Sequence, residues 1–407
     1  MKIVYLNPSG QMGGAERSLL DFFASLRAAD PGVALELIAG ADGVFLEQAR
    51  ALGAKARALP YPAALARLGD AGRPRLLGAL GRASLSAPAA ALYLARLRRE
   101  LHAAAPDLIH TNGFKMHVLG VRAAPRAVPV LWHVHDYLSS RPLMTRLMRL
   151  HAGRCAAAVA NSQSVAADLR AVCGPALRIF PIHNAVDLER FSPAGPALDL
   201  DRLAGLALPA HPVVRIGLVA TMARWKGHEV FLHALKMLPA DLPVRGYVIG
   251  GTLYQTEGSQ YDLGDLRRLA ASLGLEGRVG FTGFVDEPAA AMRALDVVVH
   301  ASTQPEPFGL VIAEAMACGR AVVVSGGGGA AELVRPGEDA LVHEAGRASA
   351  RAERIGELAR DPALRAALGA RAEQSARQRF ARARLADQLM PIYRELSVKA
   401  GRRAYRT

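Results

Sequence analysis

The sequence predicts an α/β protein with two doubly wound domains, each a parallel β-sheet covered by helices on both faces. Short apolar runs alternate with longer helical stretches along the chain, which is the pattern of parallel strands joined by helices. The runs form two series, separated at residues 184–196 by a segment with two prolines and a glycine. The chain has 407 residues, more than a single hydrophobic core usually supports.

The predicted strands are short and apolar. The first series covers residues 2–6, 34–39, 108–111, 129–133, 156–160 and 178–182, and the second covers 213–219, 244–249, 279–282, 297–300, 321–324 and 340–342. We place the boundary near residue 195, which gives an N-terminal domain at 1–195 and a second domain at 196–385. Residues 386–407 are expected to form a C-terminal helix and basic tail that pack on the N-terminal domain. Ligands of open parallel sheets bind beyond the carboxyl ends of the strands, so two facing domains would enclose a cleft.

Composition narrows the class of partner. The formal net charge of +14 favours anionic partners such as a nucleotide, a phospholipid surface or a nucleic acid. Nucleic acid is disfavoured because the chain lacks zinc-finger spacing, RNP-type aromatic motifs and basic heptads.

The three cysteines form no C-x-x-C pair, which is typical of a reducing compartment and predicts a cytoplasmic location. The apolar stretch 76–97 is interrupted by Arg82 and Pro88 and is too short to span a bilayer. The Ala- and Arg-rich residues 347–384 predict solvated helix faces.

The most informative segment is 306–319. Prolines and a glycine at 305–309 predict a loop, and the apolar residues 310–318 predict a buried helix that ends at a glycine. Glu306 would precede this helix and Glu314 would lie inside it. Unpaired N–H groups at a helix start suit a phosphate or sugar hydroxyls, and a buried Glu314 needs a hydrogen-bond partner or a raised pKa. The alternative is that protein groups satisfy Glu314 while Glu306 is a solvated loop charge.

Three further loops carry polar or glycine residues directly after predicted strands. The glycines near Gly14 would let backbone N–H groups approach a phosphate. The alternative is that they form only a tight turn. His135 could donate to a ligand oxygen, or it is structural. Arg224 and Lys226 suit a diphosphate, or they belong to a solvated basic turn.

Together these motifs resemble the retaining, nucleotide-sugar-dependent glycosyltransferases of family 4, which have two facing Rossmann-like domains known as the GT-B fold. The resemblance covers nearly the whole chain. Its most specific part is the E-x7-E element from Glu306 to Glu314. The other parts are the loop Gly13-Gly14-Ala15-Glu16-Arg17, His135-Asp136, Asn184-Ala185-Val186-Asp187, Lys226-Gly227-His228, Phe281-Thr282-Gly283-Phe284 and Gly328-Gly329-Ala330-Ala331-Glu332-Leu333-Val334.

The resemblance implies roles for these residues. Glu306 would contact hydroxyls of the donor sugar, Lys226 would neutralise the diphosphate leaving group, and His135 would approach the transferred sugar. The remaining donor-binding residues would be Gly14 beside the phosphates, the backbone of Phe308, Gly309 and Leu310 at the sugar and diphosphate, Glu314 at the ribose, and the backbone near Gly283 at the base.

One departure from the family concerns an arginine. Family members commonly carry it a few residues before the Lys-Gly pair, and here Thr221 falls at that position. Arg224 could reach the phosphates in its place.

The resemblance further implies front-face attack by an acceptor hydroxyl on the donor sugar, with the anomeric configuration retained. Because no Asp-x-Asp motif follows a predicted strand, the sequence predicts no requirement for a divalent metal or other cofactor.

The expected partners are a nucleotide sugar, with uridine or guanosine as the base, and a glycan or lipid-linked acceptor of cell-surface synthesis. In residues 73–99 and 141–154, leucines and methionines recur among arginines. This pattern suits helices that bind the anionic inner face of a membrane. Alternatively, those leucines pack on the domain's own sheet and the arginines face water. Two rival functions remain: a nucleotide-sugar epimerase on the same fold, and a non-catalytic basic binding protein or scaffold.

Overall fold

The computed structural model describes residues 1–62, 76–252 and 259–404, with the backbone alone for 76–87 and 399–404. Residues 73–75 of the predicted membrane-facing stretch and 405–407 of the predicted basic tail therefore lie outside the described residues. The chain forms two compact units, one of Met1–Ala185 and Arg382–Thr407 and one of Val186–Ala381. The boundary predicted near residue 195 falls inside the second unit, because Val186 and Phe191 of the expected linker are buried in that unit's core.

The first unit contains a seven-stranded parallel sheet in the order β3-β2-β1-β4-β5-β6-β7. Its strands are β1 (Lys2–Asn7), β2 (Ala34–Ala39), β3 (Lys55–Ala58), β4 (Leu108–Asn112), β5 (Val130–Val134), β6 (Ala157–Ala160) and β7 (Ile179–Pro181). Its helices are α1 (Gly14–Ala29), α2 (Val44–Ala51), α3 (Leu76–Ala104), α4 (Phe114–Ala123), α5 (Pro142–His151) and α6 (Gln163–Cys173).

The second unit contains a six-stranded parallel sheet in the order β10-β9-β8-β11-β12-β13. Its strands are β8 (Val214–Val219), β9 (Val244–Ile249), β10 (Val279–Gly283), β11 (Val297–His300), β12 (Ala321–Gly326) and β13 (Leu341–Glu344). Its helices are α7 (Leu200–Leu203), α8 (His228–Lys236), α9 (Leu263–Ser272), α10 (Pro288–Arg293), α11 (Leu310–Ala317), α12 (Ala348–Arg360) and α13 (Pro362–Arg379). The predicted fold class is thus confirmed: each unit is a Rossmann-like parallel sheet.

Both faces of the first sheet are buried, as alternation along β1 shows. Ile3 and Tyr5 belong to one core cluster, whereas Val4 and Leu6 belong to the cluster on the other face. The chain returns to the first unit through the last helix, α14 (Arg384–Ala404). This helix adds side chains at helical spacing to the cluster of Ile3 and Tyr5, namely Leu385, Leu389, Tyr393 and Leu396. The Tyr393 hydroxyl lies 3.3 Å from that of Tyr5.

The long helix α3 buries one face and exposes its arginines. Tyr93, Leu97 and Leu101 recur every four residues and are buried, while Arg96, Arg98 and Arg99 are exposed. For the described part of residues 73–99, this supports packing of the leucines on their own domain rather than on a membrane surface. Within the described residues, no helix has the length and apolar character needed to cross a bilayer.

Strand order indicates where proteins of this fold class bind ligands. In the first sheet the direction of winding reverses between β1 and β4, and in the second between β8 and β11. A crevice opens at the carboxyl ends of the strands at such a switch point. Asn7 and Asn112 end β1 and β4, whereas Lys226 and Glu306 lie in the loops that follow β8 and β11.

Candidate active site

The carboxylate of Glu306 forms a buried ion pair with Lys226. The Nζ atom of Lys226 lies 2.8 Å from Oε1 and 2.9 Å from Oε2 of Glu306. Glu306 is 7% exposed, and the side chain of Lys226 is 18% exposed. Glu306 is therefore not the solvated loop charge that the sequence left open as an alternative. Lys226 does not belong to a solvated basic turn.

A glycine holds Lys226 in place. After β8 the chain makes a single 3-10 turn over Arg224–Lys226, and Gly227 follows with a left-handed φ of 76°. A Cβ on Gly227 would lie 2.0 Å from the carbonyl oxygen of Ala301. The loop after β8 and the loop after β11 can approach this closely because Gly227 has no side chain.

Glu306 is held by its own loop. The Ser302 hydroxyl donates to Oε2 at 2.7 Å, and His300 Nε2 lies 3.2 Å from the same oxygen. The backbone carbonyl of Glu306 accepts from the N–H of Gly329 at 2.7 Å. The carboxylate thus accepts from three side chains, and the segment that carries it is tied to the loop after β12.

The loop-to-helix junction has the predicted form. Gly309 has a φ of 95° and precedes the helix Leu310–Ala317, which Cys318 caps and which Gly319 follows with a φ of 67°. The first N–H groups of such a helix have no intrahelical acceptor and carry partial positive charge. Glu314 is buried inside this helix, as the sequence predicts.

Opposing effects set the protonation state of the pair. Burial alone would raise the pKa of Glu306, but the Lys226 ammonium and the hydrogen bond from His300 outweigh it and hold that pKa well below its usual range. Burial lowers the pKa of His300, and Glu306 only partly opposes this. At neutral pH Glu306 is therefore an ionised carboxylate and His300 a neutral imidazole.

Arg351 corrects the expectation that residues 347–384 form only solvated faces. This side chain is fully buried, and its Nη2 donates to the carbonyl of Ala301 at 3.1 Å. Its Nε lies 3.2 Å from His343 Nε2, and its Nη1 has no hydrogen-bond partner among the described residues. Burial lowers the pKa of Arg351 to about 10, so it remains a cation behind the Glu306 loop at neutral pH.

Further predicted donor-binding residues of the second unit lie at the same edge of its sheet. Gly283 ends β10 with a φ of 71° and open space around its Cβ position, and Phe284 beside it is 71% exposed. Phe308 is buried, with its ring edge-on to Phe380. The exposed Arg224 places its guanidinium 4.5 Å from the centre of the Tyr261 ring.

A second polar cluster lies at the carboxyl edge of the first sheet. His135 Nε2 is 2.6 Å from Asn112 Oδ1, and Asn112 Nδ2 is 2.7 Å from Asn7 Oδ1. Asn7 Nδ2 in turn donates to Glu16 at 3.0 Å, and burial raises the pKa of that carboxyl. Gly14 begins helix α1 and is exposed.

Three buried histidines lie beneath His135. The rings of His133 and His135 are 3.9 Å apart between centres, and those of His110 and His133 are 5.3 Å apart. Neither ring nitrogen of His133 has a hydrogen-bond partner among the described residues. Burial lowers the pKa of His110 and of His135 to about 3, and also lowers the pKa values of His117 and His133. This group is neutral at physiological pH.

Two family models match most of the chain. Residues 12–190 match the model described as Glycosyltransferase Family 4, and residues 213–375 match Glycosyl transferases group 1. Two doubly wound units with this pairing of sequence models define a GT-B glycosyltransferase. The chain belongs to the family 4 glycosyltransferases, as the sequence motifs indicate.

Solved and curated relatives agree with this assignment. A crystal structure of Anabaena Alr3699/HepE in complex with UDP superposes with a TM-score of 0.79 and 28% identity, covering 97% of this chain and all of that one. D-inositol 3-phosphate glycosyltransferase 1 of Catenulispora acidiphila is 34% identical over 250 residues, 60% of this chain and 58% of that protein. The lipopolysaccharide core biosynthesis glycosyltransferase LpsE of Rhizobium meliloti is 30% identical over 50% of this chain. The matched region spans 56% of the length of LpsE.

Several hydrogen-bond partners of the candidate site residues are not among the residues predicted from the sequence. Four of these partners end a strand or follow one closely: Asn7, Asn112, His300 and Ser302. Their position at the carboxyl ends of predicted strands could have identified them. Arg351 carried no such indication, because it lies in a helix among many other arginines.

Proposed function

We propose that the protein is a retaining glycosyltransferase that moves a sugar from a nucleotide diphosphate sugar to a hydroxyl of a glycan or lipid-linked acceptor. The observation that carries this proposal is the buried pair of Lys226 and Glu306 beside the start of a helix. An ammonium has three N–H donors, and the two oxygens of Glu306 engage two of them. The third can donate to an oxygen of the diphosphate.

Stabilisation of the leaving group is the proposed source of catalysis. As the bond from the anomeric carbon to the phosphate oxygen breaks, the sugar takes on oxocarbenium character and negative charge grows on the diphosphate. Lys226 and the N–H groups at the start of the helix Leu310–Ala317 would face that charge. The acceptor hydroxyl attacks the same face, and its proton passes to the departing phosphate.

The remaining residues are assigned by their position. Glu306 would fix Lys226 and contact sugar hydroxyls together with the backbone of Phe308, Gly309 and Leu310. Glu314 would accept from the ribose. The exposed ring of Phe284 next to Gly283 offers a surface on which a base can stack.

The donor is proposed to be a uridine diphosphate sugar. Anabaena Alr3699/HepE, which is 28% identical to this chain over nearly its whole length, was crystallised with UDP and with UDP-glucose. No divalent metal is assigned to the reaction, because Lys226 and the helix start already supply positive charge at the proposed diphosphate position.

The acceptor is proposed to belong to cell-surface synthesis on the inner face of the membrane. The relatives named for lipopolysaccharide core and for inositol phosphate support a membrane-associated or polyol acceptor. Helix Pro142–His151 buries Met148 but leaves Leu143 58% and Leu150 77% exposed. Such a helix suits contact with a lipid surface.

A panel of nucleotide sugars tests the proposal. A ligand present at 100 times its dissociation constant stabilises the folded protein by about 2.7 kcal/mol, which a thermal-shift assay resolves. The stabilising donor is then incubated with and without acceptor mixtures, and the anomeric configuration of the product is determined by NMR. An isomerised nucleotide sugar formed without acceptor would identify an epimerase. Binding without any turnover would identify a non-catalytic protein.

A further inference from the structure

Hydrogen bonds link three side chains of the first unit in one line that ends on a backbone carbonyl. The line runs from His135 Nε2 to Asn112 Oδ1 (2.6 Å), from Asn112 Nδ2 to Asn7 Oδ1 (2.7 Å) and from Asn7 Nδ2 to the carbonyl oxygen of Ser9 (2.7 Å). Both asparagines are 0% exposed, so water does not compete for these contacts. The line begins at His135 in the loop after β5, crosses the switch point between β4 and β1, and ends in the loop after β1.

The carbonyl of Ser9 sets the direction of every bond in this line. A carbonyl oxygen can only accept, so the amide of Asn7 must turn its Nδ2 toward Ser9. The second N–H of Asn7 points to Oε1 of Glu16 at 3.0 Å. Asn7 Oδ1 then faces Asn112 and accepts from it, which leaves Asn112 Oδ1 to accept from His135.

The opposite direction is disfavoured. With both amides reversed, Asn7 Oδ1 would lie 2.7 Å from the carbonyl oxygen of Ser9 and beside the Glu16 carboxylate. Those oxygens would then face each other with no donor between them, which is destabilising away from water. The hydrogen-bonded line therefore has one favoured direction.

We infer that His135 is held as the neutral tautomer with its proton on Nε2 and presents Nδ1 as an acceptor to a hydroxyl of the bound ligand, with Asn112 and Asn7 as positioning residues. This reverses the expectation from sequence that His135 donates to a ligand oxygen. Burial lowers the pKa of His135 to about 3, in keeping with a ring that carries a single proton. No described residue forms a hydrogen bond with Nδ1, and the side chain is partly exposed.

The acceptor at Nδ1 restricts the chemistry of the ligand. A sugar hydroxyl can donate to the lone pair, whereas an ionised carboxylate or phosphate oxygen cannot. The hydroxyl as ligand group rests on the proposed glycosyl transfer, but the tautomer and its control by the asparagines do not.

NMR of the full-length chain tests the inference directly. Uniformly 15N-labelled protein at pH 7.5 is studied by long-range 15N–1H correlation, and the spectrum of His135→Gln identifies the ring signals of His135. We expect a protonated Nε2 and an unprotonated Nδ1. A proton on Nδ1, or on both nitrogens, would overturn the inference without any activity measurement.

Two variants test control by the asparagines. Asn112→Leu removes the acceptor, and Asn7→Leu removes the anchor although Asn7 does not touch His135. In both variants nothing would favour the Nε2–H tautomer of His135, so we expect its Nδ1 to become partly protonated. Asn161→Leu is the matched control, because Asn161 Nδ2 donates to the backbone carbonyl of His135 at 3.1 Å and leaves the ring alone. An unchanged tautomer in Asn7→Leu, or release in Asn161→Leu, would contradict the assigned direction.

Turnover separates this inference from the proposed function. With an active donor and acceptor, Asn112→Leu should lower kcat roughly tenfold, the scale of one buried hydrogen bond. A protein with the expected tautomer but no transferase activity would refute the proposed function alone. An active enzyme whose His135 carries its proton on Nδ1 would refute the inference alone.

Discussion

Lys226 and Glu306 are 80 residues apart in sequence, yet the ammonium of one lies 2.8 and 2.9 Å from the two carboxylate oxygens of the other. A pair buried to this degree is costly to break, because removal of one partner leaves the other charge without compensation. The pair also fixes the ammonium at the carboxyl edge of the second sheet, where the proposed diphosphate would bind.

Replacement of Lys226 should disable catalysis. We expect Lys226→Ala to lower turnover roughly a hundredfold, the usual scale for a lost electrostatic stabiliser. Lys236→Ala is the matched control, since Lys236 is exposed in the following helix, and its activity should remain that of the wild type. Steady-state kinetics with saturating donor measures both. A turnover in Lys226→Ala within twofold of wild type would exclude Lys226 as the group that neutralises the leaving diphosphate.

The two glutamates of the E-x7-E element should separate in kinetics. Glu306→Gln is expected chiefly to lower kcat, because a neutral amide no longer fixes Lys226 and the sugar. Glu314→Gln is expected chiefly to weaken nucleotide binding, measured as the dissociation constant of UDP by calorimetry. Wild-type kinetics in both variants would show that the site is wrongly assigned.

The reaction should not require a divalent metal. Activity is expected to survive excess EDTA, because the proposed site meets the diphosphate with Lys226 and helix N–H groups. The assay compares untreated enzyme, EDTA-treated enzyme and EDTA-treated enzyme with added manganese. Loss of activity with EDTA followed by recovery with manganese would contradict the proposal.

The sequence predicted the strands well because most are continuous apolar runs. The strand Lys55–Ala58 escaped prediction because it lies at a sheet edge and alternates cations with alanine, so it has no apolar run. The start of the partly apolar linker 184–196 was assigned to the first unit, although from Val186 onward it belongs to the second. Its composition indicates a loop, whereas the burial of Phe191 depends on a core assembled from distant segments.

The sequence identified the main residues of the candidate site but not the contacts between them. Motifs identified Glu306 and Lys226, since each follows a predicted strand in a recognisable pattern. The bond from Asn112 to Asn7 joins residues 105 positions apart, and strand order alone brings them together. Arg351 shows the same limit, because nothing local distinguishes a buried arginine from the exposed ones around it.

Buried histidines should make the protein lose stability in mild acid. His110 and His135 have pKa values of about 3 in the folded state and about 6.5 when unfolded, so only the unfolded chain takes up protons between these values. The full contribution is present above about pH 6.5 and is lost progressively as the pH falls toward 3. Between pH 7.5 and pH 5, each histidine of this kind lowers the free energy of unfolding by about 2 kcal/mol.

The variant His133→Leu isolates one member of this group. The ring of His133 is fully buried and stacks on Phe22 at 4.7 Å. Urea unfolding at pH 7.5 and pH 5 should show a smaller difference in the free energy of unfolding for His133→Leu than for wild type. Phe22→Leu changes the same packing without a titrating group and should leave that difference unaltered. An equal pH difference in His133→Leu and wild type would contradict this assignment.

The exposed face of helix Pro142–His151 should bind anionic lipid. Leu143 and Leu150 are exposed two helical turns apart, and the exposed Arg146 lies between them. Three neighbouring cations already contact their own domain: Arg141 pairs with Asp136, Arg149 donates to the carbonyl of Val172, and Arg154 donates to that of Pro125. Insertion of the leucines would therefore supply most of the binding, with about 1 kcal/mol from each cation near the surface.

Vesicle flotation measures this binding. We expect the protein to float with anionic vesicles at low salt, to float less as salt screens the cations, and to remain behind with neutral vesicles. The double variant Leu143→Ser/Leu150→Ser should lose most of the binding. Leu208→Ser is the matched control, since Leu208 is 78% exposed in the second unit and should not affect flotation. Equal and negligible association with both vesicle types would favour a soluble acceptor, because a lipid-linked acceptor would then have to be reached without this surface.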